Sequence, residues 1–272
     1  MEGSTIDVQY ENQPSDPLRA LAKTWIEHSA HAVVNYYDRF PVRHVALRIS
    51  LTKDAAPGGG HTTGWEGSVI EIDLGRQVTV ASLVDDWILP HEMIHLALPN
   101  LRDRHHWLEE GISTYVEPIA RARVGLITPA DAWFNLVDGM PQGLPQAGDR
   151  GLDHTHTWGR TYWGGALFCL RADVEIRQRT KNQRGLEHAL RAIQSAGGSI
   201  EKSWDIDRVI SVGDAGTGVP VLRELYDEMK AAPTPVDLPA LWKQLGVVRH
   251  GKTVTFKDDA PLAAIRKAIT GG

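Results

Sequence analysis

The chain has 272 residues, 42% of them hydrophobic and 23% charged, with a formal net charge of -5. That is enough apolar material for a sizeable core, so wholesale disorder is excluded. No Lys/Arg cluster offers a nucleic-acid footprint, and no apolar run approaches the roughly 18 residues that span a bilayer.

Met1-Glu2-Gly3-Ser4 shows neither a basic n-region nor an apolar h-region. As written the sequence fits the cytoplasm, or the periplasm or secretion if a signal peptide has been removed. After a turn at Pro14 to Pro17, Leu18, Leu21, Trp25, Ile26 and Val33 recur at helical spacing, predicting a helix over 16–38 that Pro41 stops. Val45 to Leu51 and Ser68 to Leu74 alternate like strands, and Ala56-Pro57-Gly58-Gly59-Gly60 between them reads as a mobile loop. These runs suggest a small, mostly antiparallel sheet.

From about residue 80 the pattern turns helical. Ser82 with Asp85 resembles a capping box opening a helix to about Leu98, which Pro90 should kink or restart. Further helices are expected over Trp107–Val124, with Gly125 as its cap, and from Thr128-Pro129-Ala130-Asp131. Residues 139–156 read as a long loop. Helices follow over about Trp158–Thr180, Leu186–Ala196, Val219–Ala231 and Leu238–Leu245, then a hairpin over Val247–Phe256 and a last helix over 261–269. Sheet first and helices after means α+β. Residues 1–79 form an N-terminal helix and small sheet, and 80–272 a helical region, together one compact unit.

Twelve histidines are many for this length, and the single cysteine, Cys169, excludes both an intramolecular disulfide and a cysteine-rich metal site. Cys169 itself reads as a buried thiol. The strongest chemical signal is His91-Glu92-Met93-Ile94-His95. On a helix the i, i+4 spacing stacks both imidazoles on one face, within reach of a single ion. Glu92 projects beside them, placed to take a proton from an activated water. Two histidines on a solvated helix by chance is the alternative, but Leu89, Met93, Ile94, Leu96 and Leu98 make this helix largely apolar. A catalytic zinc wants a third protein ligand and one open position. Glu109 and Glu110 are candidates, or else a charged first turn favoured by the helix dipole. His105 and His106 read as loop residues, while His154 and His156 are candidates for lining the cleft.

His-Glu-x-x-His followed by Trp107-Leu108-Glu109-Glu110-Gly111, with Tyr115 closing the segment, resembles the gluzincin zinc metallopeptidases such as aminopeptidase N. Tyr162-Trp163-Gly164-Gly165-Ala166 resembles their tyrosine segment, and the continuation through Leu170–Arg177 and Gly185–Arg191 looks most like the glycyl aminopeptidase branch. The resemblance covers about residues 80–245. It implies a zincin-like, thermolysin-like catalytic region in which one zinc is held by His91, His95 and Glu110, with Glu92 as general base and Tyr162 as oxyanion donor. The implied substrate is a peptide or protein. The sequence departs from the pattern in a shorter His95–Glu110 spacing and in Gly164 where the lysine would stand. The glycine-rich substrate strand has no clear match, though Gly64-Trp65-Glu66-Gly67 could replace it, with Glu66 on a substrate amine; a strand within 68–74 could also pair with an extended peptide. Two further readings stay open: a zinc hydrolase of a non-peptide substrate, and a catalytically silent, zinc-stabilised binding protein.

Overall fold

In the computed structural model of the protein, residues 3–271 are described; Met1 and Glu2, part of the N-terminal stretch read above, and Gly272 lie outside them. The architecture is mixed α/β, a small N-terminal sheet followed by helices. The chain opens with a strand that the periodicity did not single out, β1 (Thr5–Tyr10), and enters helix α1 (Asp16–Tyr37). The Ser15 hydroxyl accepts from Leu18 N–H, Pro17 sits in the first turn where no donor is needed, and Asp38 ends the helix in the left-handed region. Strands β2 (His44–Thr52), β3 (Gly58–Thr63) and β4 (Ser68–Gly75) complete a sheet of order β1-β2-β4-β3.

The pairing corrects the expectation of a mostly antiparallel sheet. β1–β2 and β2–β4 run parallel, and only β3–β4 is antiparallel. Alternation reports that one face is buried, not which way the neighbour runs. Here Val45, Leu47, Ile49, Ile70, Ile72 and Leu74 pack inward, while Arg48 and Glu71 pair at 3.0 Å on the open face. The direction comes instead from connectivity: α1 carries the chain back between β1 and β2, and β3 turns it back before β4. Gly58-Gly59-Gly60 is thus an edge strand and not a mobile loop.

Beyond the sheet, Thr79 and Ser82 form a reciprocal capping box at α2 (Val80–Val84), three residues earlier than the expected Ser82–Asp85 pair. The helix stops there, and α3 (Ile88–His95) starts afresh with Pro90 in its first turn. The buried Asp86 carboxylate fixes that start, accepting from Ile88 N–H and Leu89 N–H at 3.1 Å and from the Trp25 indole at 2.9 Å. After α3, Asn100 ties the chain to residues 200–204: its N–H donates to Lys202 O, and its carbonyl accepts from Trp204 N–H.

Helix α4 (His106–Arg123) returns across α3, and α5 (Pro129–Gly139) opens with a second capping box at Thr128–Asp131. Trp158 begins a helix that widens to a π-turn over Arg160–Gly164 before continuing as α6 (Gly165–Arg179). α6 crosses α4 at backbone contact, where a Cβ on Gly165 would lie 2.0 Å from Trp107 O and 2.7 Å from Gly111 Cα. There follow α7 (Leu186–Ser195), α8 (Ile206–Thr217), α9 (Val221–Met229), α10 (Leu238–Leu245), the hairpin β5 (Val247–His250)–β6 (Thr253–Phe256) and α11 (Ala263–Thr270). Helix α8 has no counterpart in the sequence reading. Its Gly213 and Gly216 look like breakers, but they let Leu222 and Ala192 approach closely. One continuous apolar core runs from α1 and the sheet through α3, α4, α6 and α7.

Candidate metal centre

α3 and α4 bring three donor atoms together. Nε2 of His91 lies 3.1 Å from Glu110 Oε2, and Nε2 of His95 lies 3.5 Å from the same oxygen. All three side chains offer one ligand atom within 4.8 Å of the others. Ligands 2.0–2.2 Å from a tetrahedral zinc stand roughly 3.4 Å apart, so the set has the size and chemistry of a three-ligand zinc site. His91 and Glu110 are 4% and 7% exposed; burying a histidine pair against a carboxylate is costly unless each finds a partner.

The electrostatics fit that purpose. Burial lowers the pKa of His91 below its ordinary value against the pull of Glu110, which favours the neutral ring that can offer a lone pair. Burial acts in the same sense on His95, but hydrogen bonding and charge from Glu110 outweigh it and leave the pKa raised. Burial alone would raise Glu110, yet His106, His91 and His95 hold its carboxyl well below the usual range.

Glu92 is also buried and faces β3. Its Oε2 accepts from the Thr62 hydroxyl at 2.6 Å, and Thr62 also reaches its backbone carbonyl at 3.1 Å. Gly60 lies flat on α3, where a Cβ would come within 2.6 Å of Ile88 Cγ2 and 2.7 Å of Glu92 Cγ and Oε1. Among the described residues β3 pairs with β4 alone, and residues 59–62 line a cleft of about 490 Å³ together with His91, Glu92, His95, His106, Glu110 and Tyr162.

Tyr162 enters the cleft from the π-turn, its ring 6.4 Å from that of His91 and stacked 5.6 Å from Trp158. Burial, with the Glu110 and Glu92 charges behind it, raises its pKa to about 12, so its hydroxyl is a donor. The turn is held from below by Arg160, whose Nε sits 2.7 Å from the buried Asp149 carboxylate and whose guanidinium also donates to Gly143 O. A second cavity of about 350 Å³ shares Trp87, His91 and Tyr162 with the cleft and continues beyond them.

Several expectations change. His106 is no bystander: its Nδ1 is 3.1 Å from Glu109 Oε2 and its Nε2 3.2 Å from Glu110 Oε1, which lifts its pKa to about 10. His105 is buried, 3.0 Å from Asp153, whose carboxylate also accepts from Trp107 and Tyr226. Glu66, exposed beside Trp65 at 88%, is not among the cleft-lining residues, and neither are the exposed His154 and His156. β4 is interior and paired on both sides; the edges of the sheet are β1 and β3, and the one that lines the cleft is β3. Thr62, Gly60 and His106 escaped the sequence reading because a glycine run and a polar connection carry no local signature. Only His106, at i+3 and i+4 from two glutamates on one helix, could have been found.

No family model and no curated protein matches the chain in sequence. Among solved structures it is similar to an aminopeptidase N family protein from Idiomarina loihiensis, with a TM-score of 0.70, 14% identity, and coverage of 91% of this chain and 48% of that one. It is also similar to a variant of an M1 zinc metallopeptidase from Deinococcus radiodurans (TM-score 0.55, 13% identity, 87% of this chain and 50% of that one). A variant of a two-domain M1 zinc metallopeptidase bound to L-arginine follows (TM-score 0.53, 13% identity, 86% and 51%). The chain spans about half the length of these structures, and the likeness is one of fold.

Proposed function

We propose that the chain is a zinc-dependent peptidase of gluzincin type. The observation that carries the reading is the convergence of His91, His95 and Glu110 beside Glu92, a buried carboxylate that lies outside the donor set. A purely structural site has no use for that fourth group. The fold shared with zinc metallopeptidases supports the reading.

His91, His95 and Glu110 would hold one zinc. When bound, the metal supplies Lewis acidity, lowering the pKa of water and polarising a carbonyl. Glu92 takes the proton of the attacking water and passes it to the departing amine. The Thr62 hydroxyl donates to Oε2 of Glu92 and holds the carboxylate beside β3. The Tyr162 hydroxyl donates to the carbonyl oxygen as it gains charge, an interaction realised only in the transition state. An extended peptide can add to the free edge of β3, where Gly59 and Gly60 allow backbone to approach backbone, and so lie across the three donors.

The test is zinc content and cleavage of a peptide library by wild type, His95→Ala and Glu92→Gln. About one zinc per chain is expected in wild type and Glu92→Gln and none in His95→Ala. Cleavage should fall by about 10²–10⁴ in Glu92→Gln. Metal-free wild type after purification in zinc-containing buffer would overturn the reading.

A further inference from the structure

Glu110 divides its two oxygens. Oε2 faces His91 and His95, while Oε1 faces away from them toward His106 Nε2 at 3.2 Å. His106 is itself braced on its other side, its Nδ1 3.1 Å from Glu109 Oε2. Oε1 of Glu109 accepts from Leu101 N–H at 3.1 Å, which ties the brace to the connection leaving α3. A chain of three links thus joins the end of the histidine helix to the start of the glutamate helix through one imidazole.

We propose that His106 is a positioning residue for the third metal ligand, occupying Glu110 Oε1 so that Oε2 alone is offered to the ion. The inference rests on the zinc reading above. A carboxylate with both oxygens free can swing and bind through both, filling a position that a catalytic site must keep open for water. With Oε1 committed, the carboxylate plane is fixed and one coordination position stays free. Partners of this kind orient a ligand, and their removal typically weakens metal binding about 10–100-fold. His106 is at the first position of α4, half in solvent, so the placement is not forced by core packing.

The experiment measures zinc dissociation constants by chelator competition, visible spectra of the cobalt-substituted proteins, and melting temperatures of the metal-free proteins. The chains compared are wild type, His106→Ala, His106→Gln and Glu109→Gln. His106→Ala should bind zinc about 10–100-fold more weakly, and its cobalt spectrum should shift toward higher coordination. His106→Gln, whose amide can still donate to Oε1, should recover part of the affinity. Glu109→Gln keeps an acceptor for Leu101 but loosens the brace, and should show a smaller loss in the same direction. Unchanged affinity and spectrum in His106→Ala, with only the metal-free melting temperature lowered, would reduce His106 to a helix-start contact and overturn the inference. If His106→Ala does not fold, unchanged affinity in both His106→Gln and Glu109→Gln overturns it equally. Wild type without zinc affinity would instead sink the peptidase reading on which this rests.

Discussion

Gly60→Ala is the sharpest probe of how β3 and α3 cooperate. The new Cβ would stand 2.6 Å from Ile88 Cγ2 and 2.7 Å from Glu92 Cγ and Oε1, whereas 3.4 Å is the near limit of ordinary contact. Strand or side chains must therefore give way by about 0.8 Å, the difference between 3.4 and 2.6 Å. Ile88 is β-branched and on a helix, with little rotamer freedom to yield, so much of the displacement falls on Glu92 and on its bond to Thr62. Misplacing a catalytic group by about 1 Å costs on the order of 10²-fold, so kcat/KM should drop about 30–100-fold. Stability should change far less. Overpacking costs about 1–3 kcal/mol, partly offset by the roughly 0.4–1 kcal/mol that alanine removes from the unfolded chain's freedom. For a chain of this size the net corresponds to a melting shift of only a few degrees, at about 2–4 °C per kcal/mol. Zinc content should stay at wild-type level, since Glu92 is not one of the converging donors. Steady-state kinetics, metal analysis and a melting curve on this one variant decide the matter. A fully active Gly60→Ala would refute the placement of Glu92 against the strand as a catalytic requirement.

Tyr162→Phe should lower kcat and kcat/KM together by about 10²–10³ with KM nearly unchanged; near-wild-type rates would make Tyr162 a packing residue only. Asp86→Ala removes the cap of α3 and leaves the Trp25 indole without its acceptor. A loss of about 2–4 kcal/mol in denaturant unfolding is expected, and a loss under about 0.5 kcal/mol would show the cap to be idle. Zinc affinity should fall on acidification, because ligation needs neutral imidazoles. Burial is outweighed by hydrogen bonding and charge from Glu110, which raise the pKa of His95 above its ordinary value, so protons compete at a higher pH than they would for a free imidazole. A dissociation constant flat between pH 8 and 5 would contradict this.

Much of this was legible along the chain where the information is local. The helix with His91 and His95 announces itself through its motif and apolar neighbours, the helices over Trp107–Val124 and about Trp158–Thr180 are also readable from the sequence, and His91, Glu92 and His95 are fixed relative to one another by one helical turn. Their convergence with Glu110 needed only one short connection. What failed was long-range or concealed. Alternation in β2 and β4 looks the same whether the strands run parallel or antiparallel. The glycines of β3 and α8 act through what they let approach, which no window of sequence contains. Thr62 on Glu92, and Asp149 beneath Arg160, are pairings made only when distant segments are brought together.

The π-turn under Tyr162 has a consequence for how this segment can vary. A turn that widens to take in an extra residue keeps the helix on either side nearly in phase and re-aims the side chains within the turn. Deleting any one of residues 160–164 would let the helix relax to a regular period, which is a better helix taken alone. The flanking turns would stay nearly in phase, because the deletion removes the very residue that the wide turn takes in, and the change would fall on the turn itself. Tyr162 or whichever residue replaced it would turn away from the cleft, and Arg160 would lose Asp149. This stretch should therefore accept substitutions at several positions while rejecting any change of length. A library of single-residue deletions across 156–168, sorted on zinc retention and on cleavage, would show a narrow band of variants that still hold metal but no longer turn over.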